Sequence, residues 1–189
     1  MPYHLYNGLH DEDIYSIIAY LRTLEPIPNE IPARTVDFPF NLILLTLPVK
    51  KAVVAEIPPK SDFVAYRAYV TQAAGCVECH TPVKDGQLIK DQLFSGGREF
   101  VMPGGTVTSS NLTSDKTGLG DWTADQFIAT FRQYADSTWQ SPQLAPSDPN
   151  TLMPWTMYGS MTEEDLRAIF AYLQTLPPRD RTVQKFSSP

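Results

Sequence analysis

Two cysteines and three histidines are all that 189 residues provide, and that scarcity closes off several chemistries. A structural zinc site needs four ligands, and no second cysteine pair exists to complete one. A thioredoxin-like pair would sit in a βαβ pattern, and none surrounds these cysteines. Positive charge is also short. Fifteen Lys and Arg against 21 Asp and Glu leave a net −6, with no basic stripe to neutralise phosphates, which argues against nucleic acid. Long apolar runs are missing too. The most apolar stretch, Asn41 to Leu47, is far short of the ~20 residues of a membrane span and ends at Pro48. The first residues, Met1-Pro2-Tyr3-His4, lack the basic start and apolar run of a signal peptide.

What is present describes a protein with a core. Hydrophobic residues make up 42% and aromatics 11%, enough to exclude a disordered chain. The 17 prolines exceed the usual ~5% and predict long, turn-rich connections between few regular elements. The acidic balance suits a partner with a basic docking face, where charge steers a brief encounter.

Both cysteines fall in Cys76-Val77-Glu78-Cys79-His80. C-x-x-C-H is the spacing of a c-type haem attachment site. Each thiol adds to one vinyl group of a single haem, and the adjoining imidazole meets the iron as proximal ligand. Haem c must normally be attached after export, so the absent signal says something about the front end of this chain.

Residues 1–26 align without gaps on residues 153–178 at a constant offset of 152, with 12 identities among the 26 positions. They include Met1/Met153, Pro2/Pro154, Tyr6/Tyr158, Ile17/Ile169 and Leu21/Leu173. This is an internal repeat, and both copies read as a helix. In the second, Thr162 is the N-cap with Asp165 at the capping-box position, and Met161 with Leu166 forms a hydrophobic staple. Leu166, Ile169, Phe170, Leu173 and Leu176 give one apolar face, stopped by Pro177-Pro178. The first copy offers Ile14, Ile17, Ile18, Leu21 and Leu24. The repeat partner of Cys76 would fall before Met1, so residues 1–26 are expected to be the tail of a preceding haem domain in a truncated chain.

Prolines punctuate residues 27–60 and predict an extended, partly docked linker, its 42–47 run lying against a protein surface. Residues 61–189 form the main domain. A helix should start near Ser61-Asp62, with Phe63, Tyr66, Val70 and Ala73 or Ala74 on one face, and run into Cys76. An irregular stretch with glycine turns is expected over 81–120. Thr123 to Gln126 is a capping box opening a helix through Phe127, Ile128 and Phe131. A polar, proline-marked loop, Ser141 to Asn150, then leads to Met153.

An electron-transfer haem keeps both axial positions filled. Met102, Met153, Met157 and Met161 are candidates opposite His80, though a lone methionine is more often core filler. The repeat separates them: Met157 and Met161 correspond to Leu5 and Leu9, and only Met153 is matched by a methionine, Met1. Only 21 residues separate Met102 from His80, and His4 and His10 are weaker distal candidates. Pro82 is expected to offer a carbonyl to the His80 ring N–H. Arg98, Trp122 and Asn111 are donors for a haem propionate.

Gly96-Gly-Arg-Glu-Phe100, Asn111-Leu-Thr-Ser-Asp115, Gly118-Leu-Gly-Asp-Trp-Thr123 and Met153-Pro-Trp155, following the C-x-x-C-H, resemble class I cytochrome c domains. More narrowly, they resemble bacterial diheme and multi-haem cytochrome c proteins, including cytochrome subunits of membrane-bound periplasmic dehydrogenases. The resemblance covers about residues 62–178, with 1–60 similar to the end of another such domain and its linker. It implies an all-α fold around one covalent haem c held through Cys76 and Cys79, His80 and Met153 as axial ligands, and a periplasmic location. Ser114 stands where the pattern leads one to expect proline, and the first domain's haem motif is missing.

The expected role is an electron carrier between a dehydrogenase or cytochrome donor and an oxidase or cytochrome acceptor, reaching a membrane through a partner or a missing segment. One competing reading is a diheme peroxidase-like enzyme with one open iron. Another is a metal-binding or thiol-redox module.

Overall fold

The computed structural model describes residues 3–46, 56–136, 138–145, 148 and 150–188, and the chain divides into two compact units, Met1–Pro58 and Pro59–Pro189. In the first unit, α1 (Tyr3–Tyr6) precedes α2 (Asp11–Leu21), and α3 (Phe40–Ile43) is a single turn within the proline-rich segment. His10 caps α2 by accepting the Glu12 N–H on Nδ1 at 3.1 Å, so its ring serves the helix start. The side chain of His4 lies outside the described residues, as do Met1, Pro2, Leu47 and Pro48. Leu42, Ile43 and Leu45 are exposed within this unit.

The second unit opens with α4 (Phe63–Ala73), whose N-cap Asp62 accepts the Ala65 N–H at 3.1 Å. Phe63, at the first turn of the face expected to include Tyr66 and Val70, is exposed beside Arg67. Thr71 is the buried residue of this helix, its hydroxyl returned to the Arg67 carbonyl. One further turn, α5 (Cys76–Cys79), follows after Gly75.

Residues 81–120, expected to be irregular, carry strand structure. Strands β1 (Val83–Lys84) and β2 (Gln87–Leu88) form a hairpin. Its two-residue turn, Asp85-Gly86, has φ of 51° and 76°; Asp-Gly suits positive φ at both positions, and the signal was legible in the sequence. A 3-10 turn at Lys90–Gln92 precedes β3 (Glu99–Met102) and β4 (Gly105–Thr108). These two pair antiparallel, with Phe100 opposite Val107. The all-α expectation is corrected to a helical domain with a small antiparallel sheet. Local alternation in such short segments is too brief to register as periodicity.

Helix α6 (Ala124–Arg132) begins with a complete capping box between Thr123 and Gln126. Helix α7 (Trp155–Gly159) is short, and α8 (Glu163–Leu173) is capped by Thr162, which accepts the Asp165 N–H at 3.1 Å. Strand β5 (Phe186–Ser187) returns to pair with β4. Helix α8 packs on α4 and α6. Leu166, Ile169, Phe170 and Leu173 form the core with Phe94, Leu119, Phe127, Ile128 and Phe131. Met161 and Leu176 pack at its margin.

The repeat recurs in structure. Helices α2 and α8 have bounds that differ by 152 at both ends, and α1 and α7 begin at matching positions. Their environments differ. Leu173 is 1% exposed and Ile169 2%, whereas their counterparts Leu21 and Ile17 are 57% and 41% exposed.

Candidate functional site

The site starts from the end of α4. Gly75 takes φ 68°, in the left-handed region, and lets the chain turn directly into α5. Cys76 and Cys79 bracket that single turn and are not joined to each other. Cys76 is half-buried and packs with Val77 against the core, while Cys79 is exposed. Burial pushes the Cys76 thiol up to about 12. Reactive redox thiols are shifted the other way, so Cys76 lacks the lowered pKa of a redox nucleophile. Among the described residues, no three His, Cys, Asp or Glu side chains gather as a metal cage.

His80 ends the turn, its N–H bonded to the Cys76 carbonyl at 3.0 Å. Its ring Nδ1 donates to the carbonyl of Ser110 at 2.8 Å. That bond fixes the tautomer and leaves Nε2 with its lone pair, the arrangement of a metal-ligating imidazole. Burial lowers the His80 pKa, partly offset by the Ser110 bond, so the ring is held neutral. Pro82 was expected to accept this ring proton. The acceptor is Ser110 instead, and the Pro82 carbonyl accepts from the Ile89 N–H at 2.9 Å. Ser110 can come so close because Gly96 has no side chain: a Cβ there would stand 2.5 Å from the Ser110 carbonyl carbon. The Gly96 N–H also bonds the His80 carbonyl at 2.8 Å.

Arg98 hydrogen-bonds the Glu78 carbonyl through its guanidinium and lies over the Phe100 ring at 5.3 Å. It therefore braces the Cys76–His80 turn, leaving other N–H donors on its fork. Asn111 is buried and fully engaged. Its amide group donates to Thr117 Oγ1 at 3.0 Å and the Arg179 carbonyl at 2.7 Å, and its oxygen accepts from Thr113. It organises the loop, and no amide hydrogen is left for a carboxylate. Trp122, 41% exposed, lines an open hollow with Asp121, Gln126, Ala129, Thr130 and Gln133. None of Cys76, Cys79, His80 or Met153 lines that hollow.

Met153 is half-buried and packs against the same core that receives Cys76 and Val77. Its N–H bonds Thr151 Oγ1 at 3.1 Å, and its carbonyl accepts from Trp155 at 2.9 Å. Trp155 stacks on Tyr134 with centroids 5.2 Å apart and packs on Phe131 at 5.6 Å. The Met-Pro-Trp block is thus clamped by aromatics at the start of α7. Tyr158, on α7, donates to the Ala74 carbonyl at 2.6 Å, which ties this block to the entrance of the cysteine turn. Sequence reasoning missed Tyr158, although the Tyr6/Tyr158 identity in the repeat was a signal. Met102 ends β3 opposite Gly105, and Met157 is 73% exposed.

The donor set fits a covalently attached haem: two unjoined thiols on one turn, and a neutral, oriented imidazole beside them. The cytochrome c family profile matches residues 68–177. The chain is 34% identical over 108 residues to the fructose dehydrogenase cytochrome subunit of Gluconobacter japonicus, covering 57% of this chain and 20% of that protein. It is 34% identical over 122 residues to the gluconate 2-dehydrogenase cytochrome c subunit of Pantoea cypripedii, 64% of this chain and 25% of that one. A diheme cytochrome c-type protein of Cereibacter sphaeroides is 27% identical over 188 residues, 93% of this chain and 58% of its own length. The match thus spans a fifth to a quarter of the two dehydrogenase subunits.

Proposed function

The chain belongs to the cytochrome c family, and from that premise we propose that it carries electrons through one haem c bound at Cys76 and Cys79, with His80 and Met153 as axial ligands. The single observation that carries this reading is the His80–Ser110 bond, which leaves only Nε2 to face an iron. When bound, the haem supplies a one-electron Fe(III)/Fe(II) couple.

The chain's own residues do the rest. Cys76 and Cys79 tether the macrocycle, His80 presents Nε2, and the clamped Met-Pro-Trp block presents the Met153 thioether. Arg98 offers its remaining guanidinium N–H groups to a propionate. Transfer is outer-sphere, so the protein acts through ligand choice, burial and exposed edge rather than by binding a substrate at iron. The electron comes from a dehydrogenase, as the names of the relatives suggest, and passes to a second cytochrome or an oxidase in the periplasm.

Residues 1–26 read as the last helical pair of a second cytochrome c body. Support comes from the matched helix bounds, from the apolar face exposed on α2 and buried on α8, and from the diheme relative aligned along most of this chain. Reading the gene upstream of the Met1 codon tests this. A second C-x-x-C-H about 76 residues earlier is expected from the offset, and an in-frame stop immediately upstream contradicts it.

The ferric spectrum tests the electron-carrier reading. Six-coordinate low-spin iron with a methionine–iron charge-transfer band is expected. A high-spin ferric spectrum would favour an open, peroxidase-like iron instead.

A further inference from the structure

The family match ends at residue 177, yet the chain continues and lies back over the loop that holds His80. Ser114 Oγ donates to the Leu176 carbonyl at 2.9 Å. The Arg179 N–H then donates to Thr113 Oγ1 at 3.1 Å, and the Arg179 carbonyl accepts from the Asn111 amide at 2.7 Å. The Arg181 N–H reaches Thr117 Oγ1 at 3.0 Å, and its guanidinium bonds Gln92. Farther on, the Thr108 N–H donates to the Lys185 carbonyl at 3.0 Å, and Phe186 pairs with Val107 in the sheet. Both flanks of Ser110 are therefore fastened. Asn111 is held by the tail, and Ser109 by the Gly97 N–H at 2.8 Å and by the Arg98 N–H on its hydroxyl at 3.0 Å.

We infer that residues 178–188 are a positioning strap, which fixes the Ser110 carbonyl against His80 and so sets the reduction potential of the iron that His80 ligates. This rests on the haem reading of His80. A carbonyl held firmly on Nδ1–H makes the imidazole a stronger donor and favours the ferric state, because outer-shell hydrogen bonding tunes ligand basicity and potential. Loosening the strap weakens that bond and moves the potential upward.

Two charge-neutral variants of the full haem-loaded chain separate this role from general stability. Thr113→Val removes the hydroxyl that receives the Arg179 N–H, together with its bond to Asn111 Oδ1, whereas Phe186→Ala leaves both groups intact and releases only the far end of the strap. Phe186 occupies a half-buried site on a two-residue strand, so its variant keeps the test open should Thr113→Val fail to fold. In each, the reduced-to-oxidised ratio at fixed poise should rise at least threefold, about 28 mV at 59 mV per tenfold. Amide hydrogen exchange at residues 111–113 should quicken alongside it. An unchanged potential in variants that retain haem overturns the strap. A parent chain that takes up no haem overturns the reading of His80 beneath it, a different result.

Discussion

The Tyr158 hydroxyl donates a hydrogen bond to the carbonyl of Ala74 at 2.6 Å, across 84 residues of chain. The bond joins the helix after Met153 to the last residues before Cys76, so the two halves of the proposed ligand set share one fastening. Tyr158→Phe should keep covalent haem but lower stability by about 1 kcal/mol, the usual net value of such a bond. On warming, the methionine–iron band should disappear before the protein unfolds. Thermal melts followed in that band and by circular dichroism check this, and coincident transitions equal to the parent's contradict it.

Replacing Met153 by Ala should leave haem attached while abolishing the methionine–iron band and lowering the potential by more than ~59 mV, a tenfold change in the couple. The same change at Met157, which is exposed, should leave band and potential in place. Redox titration of the two variants distinguishes them.

The repeat supplies a matched pair. Leu173→Ala empties a fully buried site and should cost about 2–5 kcal/mol. Leu21→Ala, the same substitution 152 positions earlier on a face that is 57% exposed, should fall within about 0.5 kcal/mol. Equilibrium unfolding in urea measures both, and equal losses would mean that the first copy buries its apolar face.

Asp115 accepts the Thr117 hydroxyl at 2.7 Å and the Thr117 N–H at 2.8 Å, and these bonds hold its carboxyl below the ordinary aspartate value of 3.8. A depressed folded pKa contributes stability that is present above the ordinary value and lost as pH falls through the lower folded one. Asp115→Asn should therefore flatten the acid limb of the stability curve below about pH 4 and leave its shape above that pH unchanged. Urea melts over the acid range, compared with the parent, would refute the bond's role if the two limbs ran parallel.

Much of the helical frame was legible before the structure. Thr123 and Thr162 sit ahead of apolar faces at helical spacing, and caps with periodicity survive as signals because each is a local interaction. The strands were not legible, since Val83–Lys84 and Gln87–Leu88 are too short to alternate. Only the Asp85-Gly86 pair marked them. The His80 acceptor was misassigned to Pro82 because proximity in sequence suggested it, whereas Ser110 arrives through a loop 30 residues on, admitted by the bare backbone of Gly96. Phe63 shows that a shared helical face need not be a buried one at the first turn. Ser114, out of pattern in sequence, acquires a reason: its hydroxyl holds the Leu176 carbonyl, a bond proline could not make.

The intact mass of the denatured protein, expressed in a host that attaches haem c, probes the core of the account most directly. One covalent haem per chain is the predicted result, abolished when Cys76 and Cys79 are both replaced by alanine. A parent chain recovered at its unmodified mass, with both thiols open to alkylation, would contradict it.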